Sequence, residues 1–265
     1  MRTQDRQNYI LDTAKEVGFI SIIEAAKHLD VSTETVRRDI QKLSEKNLLK
    51  KVRGGAAPVK LPFKNDGEYF WRSRHNKREK IAIGTEAAKM VKSNMFVAFS
   101  TGTSVQAVAE CISGVENVTF VTNSIPTAMI LLDKIEAGEI GGQVILCGGE
   151  LDAKSRFTYG SNTINEISKL HFDIAFVSCT AFSADGTSTY FEHIYHPIHE
   201  YVIRQTDISV LVAESAKMGK VSTYRFAKLN DFDRIITDNK NPIPQSISET
   251  LANSKTELTV VECTE

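Results

Sequence analysis

The sequence lacks a long apolar run: nowhere do its 265 residues contain about 18 consecutive apolar positions. Its first residues are polar and charged, without the apolar segment that a secretory signal requires. A transmembrane helix and a signal peptide are therefore not expected. These absences predict a cytoplasmic protein with no membrane partner.

Cysteine is scarce, and the four cysteines lack the paired spacing of zinc or redox motifs. They are Cys111, Cys147, Cys179 and Cys263. Most of them lie in apolar segments, which favours reduced thiols that pack as small core residues. Internal repeats and low-complexity tracts are absent as well. We expect neither a metal nor a cofactor.

The chain also has little net charge, −1 overall, with 42% hydrophobic and 25% charged residues, which is typical of a globular protein. Its length leaves room for two domains. The charge is unevenly distributed, however. Residues 31–60 hold eight Lys or Arg against three Asp or Glu, a net of +5. Such a basic segment in a nearly neutral chain is typical of nucleic-acid binding.

Apolar residues at helical spacing predict three helices near the N-terminus. The three stripes are Ile10, Ala14 and Val17, then Ile22, Ala26 and Leu29, then Val36, Ile40 and Leu43. Ser32 is suited to cap the third helix, and Asn47 stands where that helix should end. A basic hairpin follows, with a strand near residues 48–52 and a glycine pair at 54–55. This order predicts a winged helix-turn-helix domain over residues 1–60.

The third helix is expected to read DNA, because Arg38 points away from the apolar stripe at about 100° per residue. In this motif the front of that helix enters the major groove, where arginine pairs with guanine or clamps a phosphate. The glycine pair lets the hairpin backbone approach phosphate. The predicted DNA-binding residues are Ser32, Thr33, Thr35, Arg37, Arg38, Lys42, Lys51, Arg53, Gly54 and Gly55. The alternative is a solvated helix face, but the segregated basic charge favours double-stranded operator DNA as the partner.

The same segments carry a family resemblance. VSTETVRRDIQKL and KKVRGGA are similar to the winged helix-turn-helix of the DeoR family of bacterial regulators, and the similarity continues in order through RHNKREKIAIGTEAA, STGTS, VTNS, CGGE, FDIAF, ESAKMG and RIITD. Membership implies a sensor domain related in fold to pentose-phosphate isomerases and amino-sugar-phosphate deaminases. It also implies repression of carbohydrate-use genes, relieved by a phosphorylated sugar.

Residues 61–80 are predicted to be a connector, since proline, asparagine and glycine interrupt regular structure there. Its aromatics are Phe63, Tyr69, Phe70 and Trp71, and we expect them to pack against the larger domain or a partner subunit. Residues 81–265 alternate strand and helix patterns. The predicted strands cover residues 95–99, 118–121, 143–147, 173–177, 208–213 and 234–237. This alternation predicts an α/β effector-sensing domain with a mainly parallel sheet covered by helices on both faces.

Polar or glycine-containing loops follow several of these strands, and ligands of open α/β sheets bind outside the carboxyl ends of the strands. The 100–104 loop precedes a helix, so its N–H groups and hydroxyls form a potential phosphate site. The predicted effector-binding residues are Ser100, Thr101, Gly102, Thr103, Ser104, Thr122, Asn123, Gly148, Gly149 and Lys217. Ordinary loop composition and a solvated lysine are the alternatives. The order of the motifs favours an effector site.

Three positions depart from the family pattern. Ser100 stands where the family usually has Asp, residues 178–181 replace a second glycine-containing loop, and Glu214 replaces an Asp. The effector is therefore either atypical or absent. His193, His196 and His199 are spaced three apart, but Pro197 interrupts a regular helix and no cysteine or carboxylate pair completes a metal site.

Two other functions are open. The sensor resembles sugar-phosphate enzymes, so isomerase or deaminase activity is one alternative, but such chemistry needs a positioned general base. Ser100 cannot supply one, and no catalytic pair is recognisable, so we expect a regulator and not an enzyme. The other alternative is a DNA-binding protein with a degenerate sensor. Because helix-turn-helix proteins bind paired half-sites, we expect a homo-oligomer, either a dimer or a tetramer.

Overall fold

The computed structural model describes residues 3–17, 20–52, 54–59, 69–190 and 196–263. The chain divides into two compact units, the N-terminal unit (Met1–Glu68) and the C-terminal unit (Tyr69–Glu265). Predictions placed on Arg53, Phe63 and His193 lie outside the described residues. Among the described helices, none has the length and apolar content of a membrane-spanning segment.

The N-terminal unit is a helix-turn-helix followed by a hairpin, as predicted. Its elements are α1 (Thr3–Val17), β1 (Ile20–Ser21), α2 (Ile22–Leu29), α3 (Thr33–Glu45), β2 (Leu49–Val52) and β3 (Gly55–Pro58). The predicted stripes form its core apart from Val17, whose side chain is not described, and Ile10, Val36 and Ile40 are almost completely buried. Asn47 has the left-handed backbone expected after α3, with φ of 55°. The sequence did not predict β1, which is too short for a periodicity and joins the sheet in the order β1-β3-β2.

The C-terminal unit alternates helices and strands. Its elements are α4 (Tyr69–Arg74), α5 (Lys77–Ala88), β4 (Phe96–Phe99), α6 (Thr103–Cys111), β5 (Val118–Thr122), α7 (Ile125–Glu136), β6 (Gly142–Leu146), β7 (Glu150–Asp152), β8 (Phe157–Tyr159), α8 (Ser161–Ile167), β9 (Phe172–Val177), β10 (Ala181–Phe182), β11 (Thr187–Tyr190), α9 (His196–Arg204), β12 (Thr206–Val212), β13 (Tyr224–Lys228), β14 (Arg234–Asp238), α10 (Gln245–Ala252) and β15 (Glu257–Val261).

A seven-stranded parallel sheet organises this unit, in the order β15-β14-β12-β9-β4-β5-β6. The six predicted strands are all in it, so the predicted α/β class is confirmed. Successive side chains point to opposite faces. Thus Phe176 packs in the core that α5, α6 and α7 share, and Val177 packs in the core beneath α8, α9 and α10. Both faces of the sheet are therefore covered.

Smaller sheets flank this framework and were not predicted. β10, β11 and β13 form an antiparallel sheet, and β7 pairs with β8. β11 has the sequence TSTY and is buried throughout. Thr189 Oγ1 donates to the Ala181 carbonyl at 3.1 Å and the Tyr190 hydroxyl donates to the Ser178 carbonyl, whereas Ser188 Oγ is buried without a hydrogen-bond partner among the described residues. A hydrophobic periodicity cannot detect a strand of this kind.

Helices α5 and α6 approach each other closely at Gly84. A Cβ atom at this position would lie 2.4 Å from the carbonyl oxygen of Ala107 in α6. Real Cβ atoms do not come that close to a backbone atom, so only glycine permits this packing. Because α6 begins in the 100–104 loop, the contact also fixes the position of that loop.

We predict that Gly84→Ala lowers the free energy of unfolding by about 1–3 kcal/mol, because the two helices must separate to admit a methyl group. Urea unfolding followed by circular dichroism measures the change. Thr85→Ala, on the exposed side of α5, is the control and should stay within about 0.5 kcal/mol of the wild type. Equal midpoints for the two variants would contradict the tight packing at Gly84.

Candidate functional site

The exposed side of α3 carries most of the predicted DNA contacts. The exposed residues among them are Ser32, Thr33, Arg37, Arg38 and Lys42, and Thr35 is half-buried. Arg37 and Arg38 each lie 3.7 Å from Glu34, with 61% and 77% of their side chains exposed. Such surface pairs are weak, so both guanidinium groups are available to another partner. Ser32 caps α3 by accepting a 3.2 Å hydrogen bond from the Thr35 N–H.

A buried ion pair fixes the position of α3 against α1. Arg6 Nε lies 2.9 Å from Asp39 Oδ2, and Gln7 Nε2 donates to Asp39 Oδ1 at 3.1 Å. Asp39 is only 2% exposed although it follows two exposed arginines in the sequence. Its carboxylate is therefore matched by Arg6 and does not weaken the basic surface of α3. From the sequence, Asp39 was only one of the three acids in the net charge of residues 31–60, and its pairing with Arg6 was not predicted.

Only some of the DNA-contacting residues predicted in the hairpin are exposed. Lys51 is exposed on β2, and Gly54 occupies the exposed turn with φ of 82°, a conformation that favours glycine. The Gly54 carbonyl accepts a hydrogen bond from the Ile22 N–H at 3.0 Å, which joins the hairpin to the start of α2. Gly55, in contrast, is buried and pairs with Ser21 and Val52.

In the C-terminal unit, the carboxyl ends of β12, β9 and β4 lie side by side, because these strands are neighbours in the sheet. The 100–104 loop leaves β4 here and begins α6. Ser100 N–H donates to the Phe176 carbonyl at 3.0 Å, and Gly102 takes φ of 134° beside Ser178. Ser100 and Thr101 are buried. The loop is thus held firmly, with the amino end of α6 at the edge of the sheet.

Four side chains meet at this edge and form what we term the strand-end cluster: Ser104, Ser178, Glu214 and Lys217. Ser104 Oγ donates to Glu214 Oε2 at 2.8 Å, and Lys217 Nζ lies 2.9 Å from the same oxygen. Lys217 Nζ is also 3.4 Å from the hydroxyls of Ser104 and Ser178. Its side chain is 24% exposed, so the cluster is accessible to solvent.

Lys80 approaches the cluster from α5, on the opposite side of the Glu214 carboxylate. Its Nζ is 3.4 Å from Glu214 Oε1, and both side chains are about 5% exposed. Burial raises the pKa of Glu214, but the charges of Lys217 and Lys80 and the hydrogen bonds from Lys217 and Ser104 lower it more. The pKa of Glu214 therefore lies well below its ordinary value of 4.5. Burial in turn lowers the pKa of Lys80, against the opposing charge of Glu214.

Neither Lys80 nor the role of Ser178 was predicted from the sequence. A signal existed for Lys80, because it lies three and seven residues before Ile83 and Ala87, on the buried stripe of α5. A charged residue on an apolar stripe is almost never buried without a partner. The four basic residues around it, at positions 72, 74, 77 and 78, obscured that signal.

Three more of the predicted effector residues, Thr122, Asn123 and Gly148, form hydrogen bonds within the fold. Asn123 Nδ2 donates to the Thr158 carbonyl at 2.8 Å, and Thr122 Oγ1 donates to the Phe99 carbonyl at 2.8 Å. The Gly148 N–H donates to Glu166 Oε2 at 2.7 Å. A Cβ at Gly149 would lie 2.1 Å from Thr163 Oγ1. Within the described chain, no hydrogen bond joins Gly148 or Gly149 to the 100–104 loop.

The histidine series does not form a described metal site. His199 is completely buried, its Nε2 lies 2.9 Å from the Tyr190 hydroxyl, and its ring packs on Phe226. It is a core residue. His193 lies outside the described residues, and the His196 side chain is not described. The described residues contain no group of three His, Cys, Asp or Glu side chains that is able to hold a metal.

Comparison with known proteins identifies both units. Residues 6–60 match the DeoR-like helix-turn-helix domain, and residues 75–239 match the DeoR C terminal sensor domain. The chain belongs to the DeoR family. It is 33% identical to the HTH-type transcriptional repressor GlcR of Bacillus subtilis (strain 168), over 99% of this chain and 98% of that protein. This DeoR-family protein is therefore a DNA-binding transcriptional regulator, as predicted.

Other relatives have the same extent. The chain is 27% identical to the Glycerol-3-phosphate regulon repressor of Escherichia coli (strain K12), over 97% of this chain and 99% of that one. Among solved structures, a transcriptional regulator from Streptococcus pneumoniae TIGR4 aligns with a TM-score of 0.40 and 14% identity, over 66% of this chain and 85% of that one. Ribose 5 phosphate isomerase A from Neisseria gonorrhoeae aligns with a TM-score of 0.38 and 15% identity, over 54% and 53% of the two chains.

We predict that Arg38→Ala weakens specific operator binding of this DeoR-family protein by about 1–3 kcal/mol, because Arg38 is expected to contact a base. Lys51→Ala should weaken binding to any DNA and reduce the salt slope by about one, as expected for a phosphate contact. Fluorescence anisotropy at several salt concentrations, on operator DNA selected from a random pool, measures both. Lys27→Ala, an exposed lysine of α2, is the control. Unchanged affinity of Arg38→Ala would contradict the assigned reading face.

We also predict that the Glu214 network stabilises the DeoR-family fold in a pH-dependent manner. Because the folded-state pKa of Glu214 is lowered, its contribution is complete above the unfolded pKa of about 4.5 and falls as the pH drops below it. The difference in free energy of unfolding between the wild type and Glu214→Gln should therefore be largest near neutral pH and shrink below about pH 4.5. Urea titrations across that range measure it, and a difference that is independent of pH would contradict the prediction.

Proposed function

We propose that this protein represses carbohydrate-use genes and that a phosphorylated sugar, bound at the 100–104 loop, releases it from operator DNA. The observation that carries the proposal is the strand-end cluster. It places two serine hydroxyls and a solvent-accessible lysine beside the amino end of a nine-residue helix. Backbone N–H groups and the helix dipole favour an anion at such a position, and a lysine adds a full charge.

The name of one relative, the Glycerol-3-phosphate regulon repressor, supports an organic phosphate as the ligand class. GlcR is named as a transcriptional repressor. Both align with this chain over nearly its whole length, so the proposed sensor and the DNA-binding unit are both included. Ser100 supplies a hydroxyl where many family members have a carboxylate. The sugar hydroxyls would accordingly be held by neutral groups of the loop.

An enzymatic function has less support. Isomerisation or deamination of a sugar phosphate requires a general base whose pKa lies near the working pH. Glu214 is the carboxylate of the strand-end cluster, and its lowered pKa and two lysine partners make it a poor base. A role in binding fits these properties better than a role in proton transfer.

The DNA-binding unit requires a second copy. One helix-turn-helix unit makes few base contacts, and useful affinity comes from two units spaced about 34–36 Å apart or a multiple of that distance. We therefore propose that the protein acts on DNA in the cytoplasm as a homo-oligomer, a dimer or a tetramer. Sedimentation equilibrium with and without operator DNA distinguishes these states.

A ligand panel tests the proposed function. Glycerol 3-phosphate, glucose 6-phosphate, fructose 6-phosphate, ribose 5-phosphate and inorganic phosphate are compared by thermal shift, by operator anisotropy and by chromatographic assay of turnover. Stabilisation with release of DNA and without turnover is the expected result. Turnover would indicate an enzyme. No stabilisation by any sugar phosphate would indicate a degenerate sensor.

We predict that Gly102→Asp abolishes release by the effector while operator binding stays intact. The substitution adds a negative charge where the phosphate would bind and a side chain next to Ser178, at a φ that L-residues rarely adopt. Gly114→Asp is the matched control, because Gly114 also has a positive φ but has no atom within 4 Å of an added Cβ. If Gly102→Asp still releases operator at wild-type effector concentrations, the phosphate site lies elsewhere.

A further inference from the structure

Helix α4 is the first described element after the chain that leaves the DNA-binding unit, and side chains from distant parts of the C-terminal unit hold it. The Tyr69 N–H donates to the Lys154 carbonyl at 3.2 Å, and the Tyr69 hydroxyl donates to Gln106 of α6 at 3.2 Å. Arg72 Nη2 donates to Ser155 Oγ at 2.9 Å. These contacts fix the start and the middle of α4.

Lys80 holds the other end of α4. Its amino group donates to the carbonyl of Arg72 and, at 2.7 Å, to the carbonyl of His75. Both carbonyls lie at the carboxyl end of a helix, where backbone acceptors lack helical partners and a cation is favourable. The same amino group faces Glu214 Oε1. Lys80 is 4% exposed, so these three acceptors replace water around its charge.

A single carboxylate thus joins the 100–104 loop to α4. Glu214 Oε2 is held by Ser104 and Lys217 in the strand-end cluster, whereas Glu214 Oε1 faces Lys80. Ser104 and Lys217 are also the groups that the proposed function assigns to phosphate. A ligand that engages them must therefore compete with Glu214 for the same donors.

We propose that Lys80 and Glu214 transmit occupancy of the effector site to α4; this inference rests on the proposed function. A phosphate draws Lys217 and the Ser104 hydroxyl away from Glu214. The buried carboxylate then depends on Lys80, since an unpaired charge in the interior is strongly unfavourable. Lys80 moves toward Glu214 and loosens its hold on the carbonyls of Arg72 and His75. The carboxyl end of α4 is released, and α4 is the helix with which the C-terminal unit begins.

The charges of the network allow this role to be separated from simple ligand binding. Lys80 and Lys217 together outweigh Glu214 by one positive charge. In Lys80→Met the charges of Glu214 and Lys217 cancel, so the network has no net charge and its affinity for an anion should fall. Lys80→Met combined with Glu214→Gln restores one net positive charge on Lys217, so anion affinity should recover. The connection between the loop and α4 is absent in the double variant.

The test measures ligand affinity and operator release separately, on the full-length protein, with the panel sugar phosphate that stabilises the wild type most. Calorimetry should show a loss of affinity of about tenfold or more in Lys80→Met, about 1.4 kcal/mol, and a return to wild-type affinity or tighter in the double variant, in which the Glu214 carboxylate no longer competes for Lys217 and Ser104. Operator affinity without ligand should remain near wild type. The ligand should weaken operator binding of the wild type by about 5–150-fold, the usual range of allosteric coupling, and that of the double variant by about twofold at most. Lys77→Met, an exposed lysine of α5, is the control.

The outcomes distinguish the two proposals. A double variant that binds ligand and releases operator as the wild type does would overturn the coupling role and leave the effector site standing. A wild type that binds no panel sugar phosphate would overturn the proposed function and this inference with it.

Hydrogen exchange on the wild type gives a second test that needs no variant. Ligand should accelerate exchange of the amides of residues 72–76 but not those of α7, and unchanged or slower exchange at 72–76 would refute the mechanism.

Discussion

The buried carboxylate of Glu214 is the constraint on which the organisation of the C-terminal unit depends. It lies at the end of β12, and it must find cations because it has almost no contact with water. One cation comes from the turn that follows β12, and the other comes from α5. Meeting this requirement brings the 100–104 loop, the end of the sheet and α4 into one hydrogen-bonded group.

The sequence was sufficient to predict the framework around this group, because the framework follows from burial. Strands such as β9 are buried on both faces and appear as continuous apolar runs, and a parallel order follows from the helices between them. The elements that were missed are held by other forces. β11 consists of four buried hydroxyl residues, of which Thr189 and Tyr190 hydrogen-bond inside the unit, and β1 has two residues. Neither leaves a hydrophobic period in the sequence.

The sequence predicted candidate site residues only where they lie close together in one short segment. The exposed residues of α3 follow from helical geometry, and the 100–104 loop follows from its position after a strand. Asp39 and Lys80 could not be placed in this way, because their partners Arg6 and Glu214 are 33 and 134 residues away in the chain. A charge in an apolar stripe predicts that a partner exists, but only the fold identifies it.

The composition of the network bears on why it exists. Replacing a buried ion pair by apolar residues of similar volume often leaves a protein as stable or more stable, so stability alone does not favour three charges at the end of a parallel sheet. An apolar core has one well-packed arrangement and does not respond to a small anion. A carboxylate that is bound by two lysines and a serine is different, because an anion is able to compete with it for those hydrogen-bond donors. Under the proposed coupling, the physical cost of burying these charges is the condition that allows a ligand of a few atoms to act on α4 through Lys80.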